Sequence, residues 1–435
     1  MNLSRRHSYC AYFLTLWMMP FSLGGFQNAW GVAPEEVAPG NIKDYSAQRI
    51  GEAEKTFPND PEIYFIKGYA LHRCMKYEEA IEAFKKGLAL KPNQPEIMQM
   101  IAFLYAYIAK YNEAVEWYKK TVEIDPAAER ANERLGLALV KLNRMDEAAK
   151  AFEMELRYHP EDASSHFYLA ERYFEAGRIK EASAHAELAM KYDPIVPEPY
   201  YLMAKILRKE GNAKGAETAL KTFQEKKKEE EKIVAQAPKT DDQKQSKLSA
   251  AQLHIELGAI YYRRKRDQEA EAHFLKTLYF DPKNEAARYN LATLYQETRQ
   301  SQKAETFYRE LLAMNGKNPR YHLGLGLILG AQKNWPEART QLEIAVEEMP
   351  DSLDAKKGLA KVYLSGDMDR EASLQLMLEV VEKEKNADNY STLSWAYFVN
   401  GDRTKSLECM AMAVQLEPNN PIHQRRYEQL KNSRN

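Results

Sequence analysis

Pro61–Gln94 reads PEIYFIKGYALHRCMKYEEAIEAFKKGLALKPNQ. Tyr64, Gly68 and Leu71 recur at i, i+4 and i+7, while Ala80 and Phe84 lie one helical turn apart. Side chains three or four residues apart share one helix face, and proline cannot continue a helix. The spacing therefore predicts two amphipathic helices of about three turns each, joined at Met75–Tyr77 and closed by Pro92. Moved along by 34 residues, the pattern returns at Pro58, Pro92, Pro126, Pro160 and Pro194. After one offset it resumes at Pro282, Pro350 and Pro418. A fixed period of this length marks a repeat architecture, in which one unit cannot bury its apolar face alone.

Counted from Pro61, the eighth position is Gly68, Ala102, Gly136, Ala170, Ala204, Gly258, Ala292, Gly326, Ala360 and Ser394. The twentieth is Ala80, Ala114, Ala148, Ala182, Ala216, Ala270, Ala304, Ala338, Ala372 and Ser406. All are small, as two helices that touch at a crossing point require. Position 11 is Leu or Tyr throughout, and position 24 is large and apolar except at Ala186, so each small residue has a bulky neighbour. Over residues 61–420 this sequence resembles the tetratricopeptide-repeat (TPR) family. It departs at Lys67, where the family has an apolar residue, and at Lys228, Gly316 and Glu384 in place of the closing proline. Those departures bear on individual helix ends. The fold class expected is all-α: a right-handed superhelical solenoid of about ten helix–turn–helix repeats with capping helices at both ends.

Hydrophobic residues make up 44% of the chain and charged residues 29%, with a net charge of −1. No long-range field of either sign is available to recruit nucleic acid or acidic membrane. At the N-terminus Arg5 and Arg6 precede a mostly apolar run, Tyr9–Phe26, broken by Pro20, and Ala29-Trp30-Gly31 supplies small residues for cleavage. Residues 1–31 are thus expected to form a secretory signal peptide or, if uncleaved, a membrane anchor through 9–26. Residues 32–60 are expected to be a spacer followed by a capping helix over Asp44–Thr56. Repeats one to five should occupy 61–234 and repeats six to ten 249–420, with a C-terminal capping helix and tail over 421–435. Between Pro194 and Pro282 the frame slips, and the polar stretch 235–248, which holds Pro238 and no aromatic residue, is expected to be a flexible linker.

Catalytic and metal-binding groupings are missing from the sequence. Only Cys74 and Cys409 lie beyond the N-terminal segment, in the first and last repeats, and there is no CxxC, no HExxH and no pair of histidines spaced i, i+4. Gly324, Gly326 and Gly330 superficially suggest a phosphate loop, but Gly326 is the small eighth residue of repeat eight and no strand precedes it. Glu78 and Glu79 start a second helix, where carboxylates complement the helix dipole. No enzyme, cofactor or metal is expected.

The resemblance implies that positions 2, 5, 9, 12 and 13 of the first helices face a concave groove. Here those positions hold Phe65, Tyr69, Phe103, Tyr107, Phe167, Phe174, Tyr201, Tyr262, Tyr289, Trp395 and Phe398. Basic residues join them in repeat five, namely Lys205, Arg208 and Lys209, with Arg73 and Lys141 at the thirteenth position of earlier repeats. Exposed aromatics offer large apolar area at low rotamer cost, as protein-binding surfaces need. The alternative is that some fill space between adjacent first helices. No repeat pairs Lys at position 5 with Asn at position 9, so the carboxylate clamp of chaperone-binding TPR domains is absent. The function expected is a non-enzymatic scaffold for a protein or peptide partner, exported to the periplasm or envelope, in envelope assembly or exopolysaccharide export. A carbohydrate-binding or enzyme-accessory module is the alternative, since aromatic platforms also stack sugars.

Overall fold

A computed structural model describes residues 42–236 and 242–432. The expected signal peptide or anchor and most of the spacer lie outside the described residues. Among these, an opening helix α1 (Ile42–Thr56) precedes ten helix pairs. They are α2 (Pro61–Arg73) with α3 (Tyr77–Leu90), α4 (Pro95–Tyr107) with α5 (Tyr111–Ile124), and α6 (Ala131–Lys141) with α7 (Met145–Tyr158). Next come α8 (Ala163–Glu175) with α9 (Ile179–Tyr192), α10 (Glu198–Lys209) with α11 (Ala213–Gln236), and α12 (Asp242–Arg263) with α13 (Asp267–Phe280). The chain continues through α14 (Glu285–Glu297) with α15 (Ser301–Met314), and α16 (Pro319–Ala331) with α17 (Trp335–Glu348). The last pairs are α18 (Leu353–Ser365) with α19 (Arg370–Lys383) and α20 (Ala387–Val399) with α21 (Arg403–Leu416), before a final helix α22 (Pro421–Asn432). Two compact units divide between Ser249 and Ala250, each an all-α stack of consecutive pairs.

The expected linker 235–248 is shorter than its composition suggested. α11 continues to Gln236 and α12 begins at Asp242, so only 237–241 lie outside the described residues. Gln and Lys, which dominate 243–247, are good helix formers even where no core claims them. Low apolar content argued against burial, and it carried no information against a helix.

Packing within a pair follows the small residues. At the twentieth position Ala80, Ala114, Ala182, Ala270, Ala304 and Ala338 are fully buried. One turn along the same helix, the bulky residue at position 24 sets how small position 8 must be. A Cβ on Gly68 would lie 2.5 Å from the Phe84 ring, and one on Gly136 or Gly258 would lie 2.6 Å from Phe152 or Phe274. Tyr308 turns instead toward Gly324 of the next repeat, and its own eighth residue is Ala292. Gly326 meets Leu342 and Gly330 approaches Val362, so this glycine series is consumed by helix packing.

Repeat nine shows a one-residue slip that the sequence frame missed. α19 starts at Arg370, one place later than the other second helices, after the turn Gly366–Asp369. The fully buried residues are consequently Ser373 and Met377, while Ala372 is only half-buried. The loop that follows is one residue shorter, which returns α20 to register and leaves Glu384 where a proline would stand.

Two further devices recur. The fourth residue of a repeat reaches back six residues to the loop carbonyl: Tyr64 Oη donates to Pro58 O at 2.9 Å, Asn132 Nδ2 to Pro126 O at 3.0 Å, and Tyr200 Oη to Pro194 O at 3.3 Å. His166 and His322 place Nε2 on Pro160 O and Gly316 O at 3.1 and 3.0 Å. Each bond satisfies a loop acceptor that no helix ladder reaches. The other device is the turn inside each pair, whose fifteenth residue has positive φ in all ten repeats. Glycine fills it at Gly177, Gly211 and Gly401; Met75, Ala109, Asn143, Lys265, Arg299, Lys333 and Asp367 fill it elsewhere.

A left-handed backbone costs a residue with a Cβ roughly 1 kcal/mol or more. Nothing lies within 4 Å of a Cβ built on Gly177, so any penalty there is purely conformational. Gly177→Ala should therefore destabilise by about 1 kcal/mol, and Ala109→Gly, at φ 62°, should stabilise. Urea melts of the two variants that move in the same direction would contradict this.

Candidate partner-binding surface

The structure separates the expected groove residues by what they touch. Four are well exposed: Tyr107 at 44%, Tyr201 at 48%, Trp395 at 40% and Phe398 at 49%. The other aromatics are half-buried. Phe65 lies beneath Gly87 of its own repeat, and Tyr69 meets Phe84 edge-on at 5.0 Å. Phe103 sits between His72 at 6.4 Å and Tyr107 at 6.2 Å, with the Arg134 guanidinium 5.6 Å above it. Phe167 packs against the core made by Ala170, Ala182 and Leu202. In the second unit Tyr262 Oη donates to Glu297 at 2.7 Å, and Tyr289 stands between Tyr308 and Tyr321. Packing within repeats and between neighbouring ones thus accounts for much of the aromatic excess.

Repeats four and five keep an open patch. On α10, Tyr201, Lys205, Arg208 and Lys209 are all exposed. The Lys205 and Lys209 ammonium groups stand 5.2 and 5.1 Å from the centre of the Phe174 ring, and Lys205 is 5.7 Å from Tyr201. Tyr201 leans on Phe223 at 5.4 Å. Among the described residues no carboxylate pairs with these three cations, whereas Arg172 and Arg178 of repeat four both have acidic partners. A cation over a ring is weakly held when exposed, worth about 0.5–1 kcal/mol. The patch keeps most of its charge for another molecule.

Repeat three is closed by a buried acidic network. Glu133, on the expected groove face, is 2% exposed and takes a bidentate pair from Arg130 at 2.7 and 3.0 Å. Arg130 occupies the N-cap of α6 without capping it. Glu155, 1% exposed on α7, does so instead, accepting the Glu133 N–H at 3.1 Å. His159 Nδ1 lies 2.7 Å from its other oxygen, out of line for a hydrogen bond. Glu155 stands at position 27, which other repeats fill with residues as different as Gly87, Thr121, Leu311 and Glu379, so the sequence did not single it out.

The cleft lined by Val140, Phe152, Tyr168 and Arg172 encloses ≈ 50 Å³, against roughly 300–1,000 Å³ for ligand pockets. Among the described residues no group of three metal-ligating side chains converges. Cys74 and Cys409 are free, and burial pushes the Cys409 thiol up to about 11, away from thiolate reactivity.

Burial raises the Glu155 carboxyl above its ordinary 4.5, against the opposing pull of the Glu133 N–H. The folded state then holds the proton more tightly than the unfolded chain. The contribution is fully present below about pH 4.5 and is lost as pH rises through the raised folded value. Glu155→Gln keeps an acceptor for the Glu133 N–H but cannot titrate. Between pH 4.5 and 7 the variant should gain stability relative to the parent, as read by urea melts. Parallel pH profiles would show that Glu155 does not carry this linkage.

Comparison with known proteins agrees with the repeat reading. The tetratricopeptide-repeat family matches residues 61–94, 95–127, 133–194 and 268–328 through three of its profiles. No curated protein matches the sequence. Solved structures similar to this chain include MamA, 24% identical over 38% of this chain and 96% of its own, with a TM-score of 0.36. Yeast Tom70 is 14% identical, with 87% and 95% covered and a TM-score of 0.32. The Cut9–Hcn1 heterotetramer of the APC/C is 13% identical, with 91% and 84% covered and a TM-score of 0.38. With its period, its small crossing residues and its helix pairs, the chain is a tetratricopeptide-repeat protein.

Proposed function

We propose that the chain is a non-enzymatic scaffold whose first-helix face binds a protein segment carrying both acidic and apolar side chains. The observation that carries this reading is the patch on α8 and α10. Phe174 and Tyr201 supply apolar area, and Lys205, Arg208 and Lys209 supply charge that no described carboxylate neutralises. Aromatic and arginine side chains concentrate binding energy at protein interfaces, while complementary charge steers encounter. A sugar would need a free aromatic face, and lysine ammonium groups already stand over Phe174, so a polypeptide ligand is favoured over a glycan. The exposed Trp395 and Phe398 on α20 form a second candidate contact in the other unit.

The N-terminal arginines and the apolar run after them support export, and we place the scaffold in the cell envelope, in envelope assembly or exopolysaccharide export. A library of acidic peptides with and without aromatic residues, run beside a glycan array, tests the ligand class. Acidic aromatic peptides should bind, and Lys205→Glu with Lys209→Glu should weaken them at least about tenfold, equivalent to ~1.4 kcal/mol. Glycan binding that survives both substitutions, with no peptide retained, would overturn the proposal.

A further inference from the structure

Five of the nine histidines of this protein occupy two equivalent places. In repeat four, His166 on α8 and His185 on α9 bring their Nδ1 atoms within 2.9 Å. In repeat six, His254 on α12 and His273 on α13 do the same at 2.8 Å. Both pairs join positions 4 and 23 of the repeat. Repeat eight keeps His322 at position 4 but has Gln341 at position 23, with Nδ1 2.7 Å from Oε1.

The surroundings of the two pairs also match. Tyr173 lies 5.4 Å from His185, and Tyr261 stacks on His273 at 5.1 Å. Tyr192 stacks on His166 at 5.8 Å, as Phe280 does on His254 at the same distance. His166 is 5% exposed and His254 is fully buried. One turn before the second histidine stands a carboxylate held by arginine, Glu181 with Arg178 and Glu269 with Arg266. The same arginines lie over Tyr173 and Tyr261, and Lys191 lies over Tyr192. On α8 itself Asp162 caps the N-terminus. The neighbouring α10 contributes apolar Leu202, Met203 and Ile206, and on α7 Asp146 is paired with Arg172 while Glu155 faces His159. On α14, which packs against α13, Arg288 is held by Glu310, and Tyr295 donates to Glu271 of α13.

Hydrogen-bond directions fix what the His166–His185 pair can hold, and the matching Nδ1 contact makes His254–His273 its counterpart. His166 Nε2 faces the Pro160 carbonyl, which only accepts, so that nitrogen carries a proton. In a neutral ring Nδ1 is then the acceptor, and His185 must donate. One added proton can sit on His185 with the N–H···N bond intact. A second would set N–H against N–H inside the repeat. A metal is a poorer fit, because two imidazoles on one zinc at ~2.0–2.1 Å lie about 3.3 Å apart at the tetrahedral angle. Gln341 escapes the conflict, since its amide can accept from a protonated His322 or turn to donate to a neutral one.

We infer that the His166–His185 and His254–His273 pairs are proton-binding sites that loosen repeats four and six when the second proton arrives. Burial and the neighbouring His166 lower the His185 affinity for the first added proton, so the unfolded chain takes it up first, and the second then meets the N–H conflict. Stability is present above pH 6.5, the ordinary imidazole value, and is lost as pH falls. Phe174 rides on α8, which ties acidification to the patch it shares with Tyr201 and Lys205.

The full chain and a His185→Gln/His273→Gln variant, which copies the arrangement of repeat eight, test this by thermal melts from pH 7.5 to 5. The parent should lose several degrees of Tm that the variant keeps, with the two alike at pH 7.5. Nitrogen-15 spectra of the parent's imidazoles give a reading independent of the substitutions: each pair should titrate in two separated steps. Equal acid shifts in parent and variant, or four histidines titrating in one ordinary step, would overturn the inference.

Discussion

The close crossing of two helices within a repeat is the constraint on which the rest of the molecule depends. Position 8 must be small because the residue at position 24 lies across it, and position 20 must be small because the first helix lies across it. Interiors are packed at crystal-like density, so neither side can yield by an ångström without cost. Once that crossing is fixed, the turn between the helices has only four residues or fewer to reverse direction, and its fifteenth position is forced to positive φ. The face of the first helix that points away from its partner is fixed by the same contact. That face is the one available to other molecules.

Much of this was legible in the sequence because it repeats. A small residue at one site is unremarkable, whereas twenty small residues at two sites ten times over leave little else to conclude. Legibility failed where a single repeat departs from its siblings. Ala372 looked like the crossing residue of repeat nine, and one inserted turn residue hands that place to Ser373. Residues 242–248 looked like linker because they carry little apolar area, yet their helix propensity was sufficient. Glu155 and the paired histidines were invisible for a related reason. Their partners lie 22 and 19 residues away, on another helix, and a search for ligands at i, i+4 passes over contacts of that span.

Function in such a chain resides in what the repeats do not share. The framework residues at positions 8, 11, 20 and 24 are common property and specify only the stack. Lys205, Arg208 and Lys209 beside Phe174 and Tyr201 occur in one place, as do Trp395 and Phe398. Groove aromatics of the remaining repeats are largely taken up by neighbours, through contacts such as Tyr262 with Glu297 or Phe65 with the backbone of Gly87. Composition along a face therefore overstates the surface a partner can use, and exposure narrows it to a few side chains.

The repeat depends on the pairing of position 8 with position 24, and one double-mutant cycle addresses it directly. In the parent, Gly136→Ala forces a Cβ to within 2.6 Å of the Phe152 ring, an overpacking expected to cost about 1–3 kcal/mol. In a Phe152→Met background the same change copies Ala360 with Met377, a pair this chain buries completely. There the Gly136→Ala substitution should be neutral or stabilising, because alanine gains up to about 1 kcal/mol of helix propensity over glycine. Equal effects in the two backgrounds would show that the two positions do not constrain each other, and the crossing could not then be what sets the repeat.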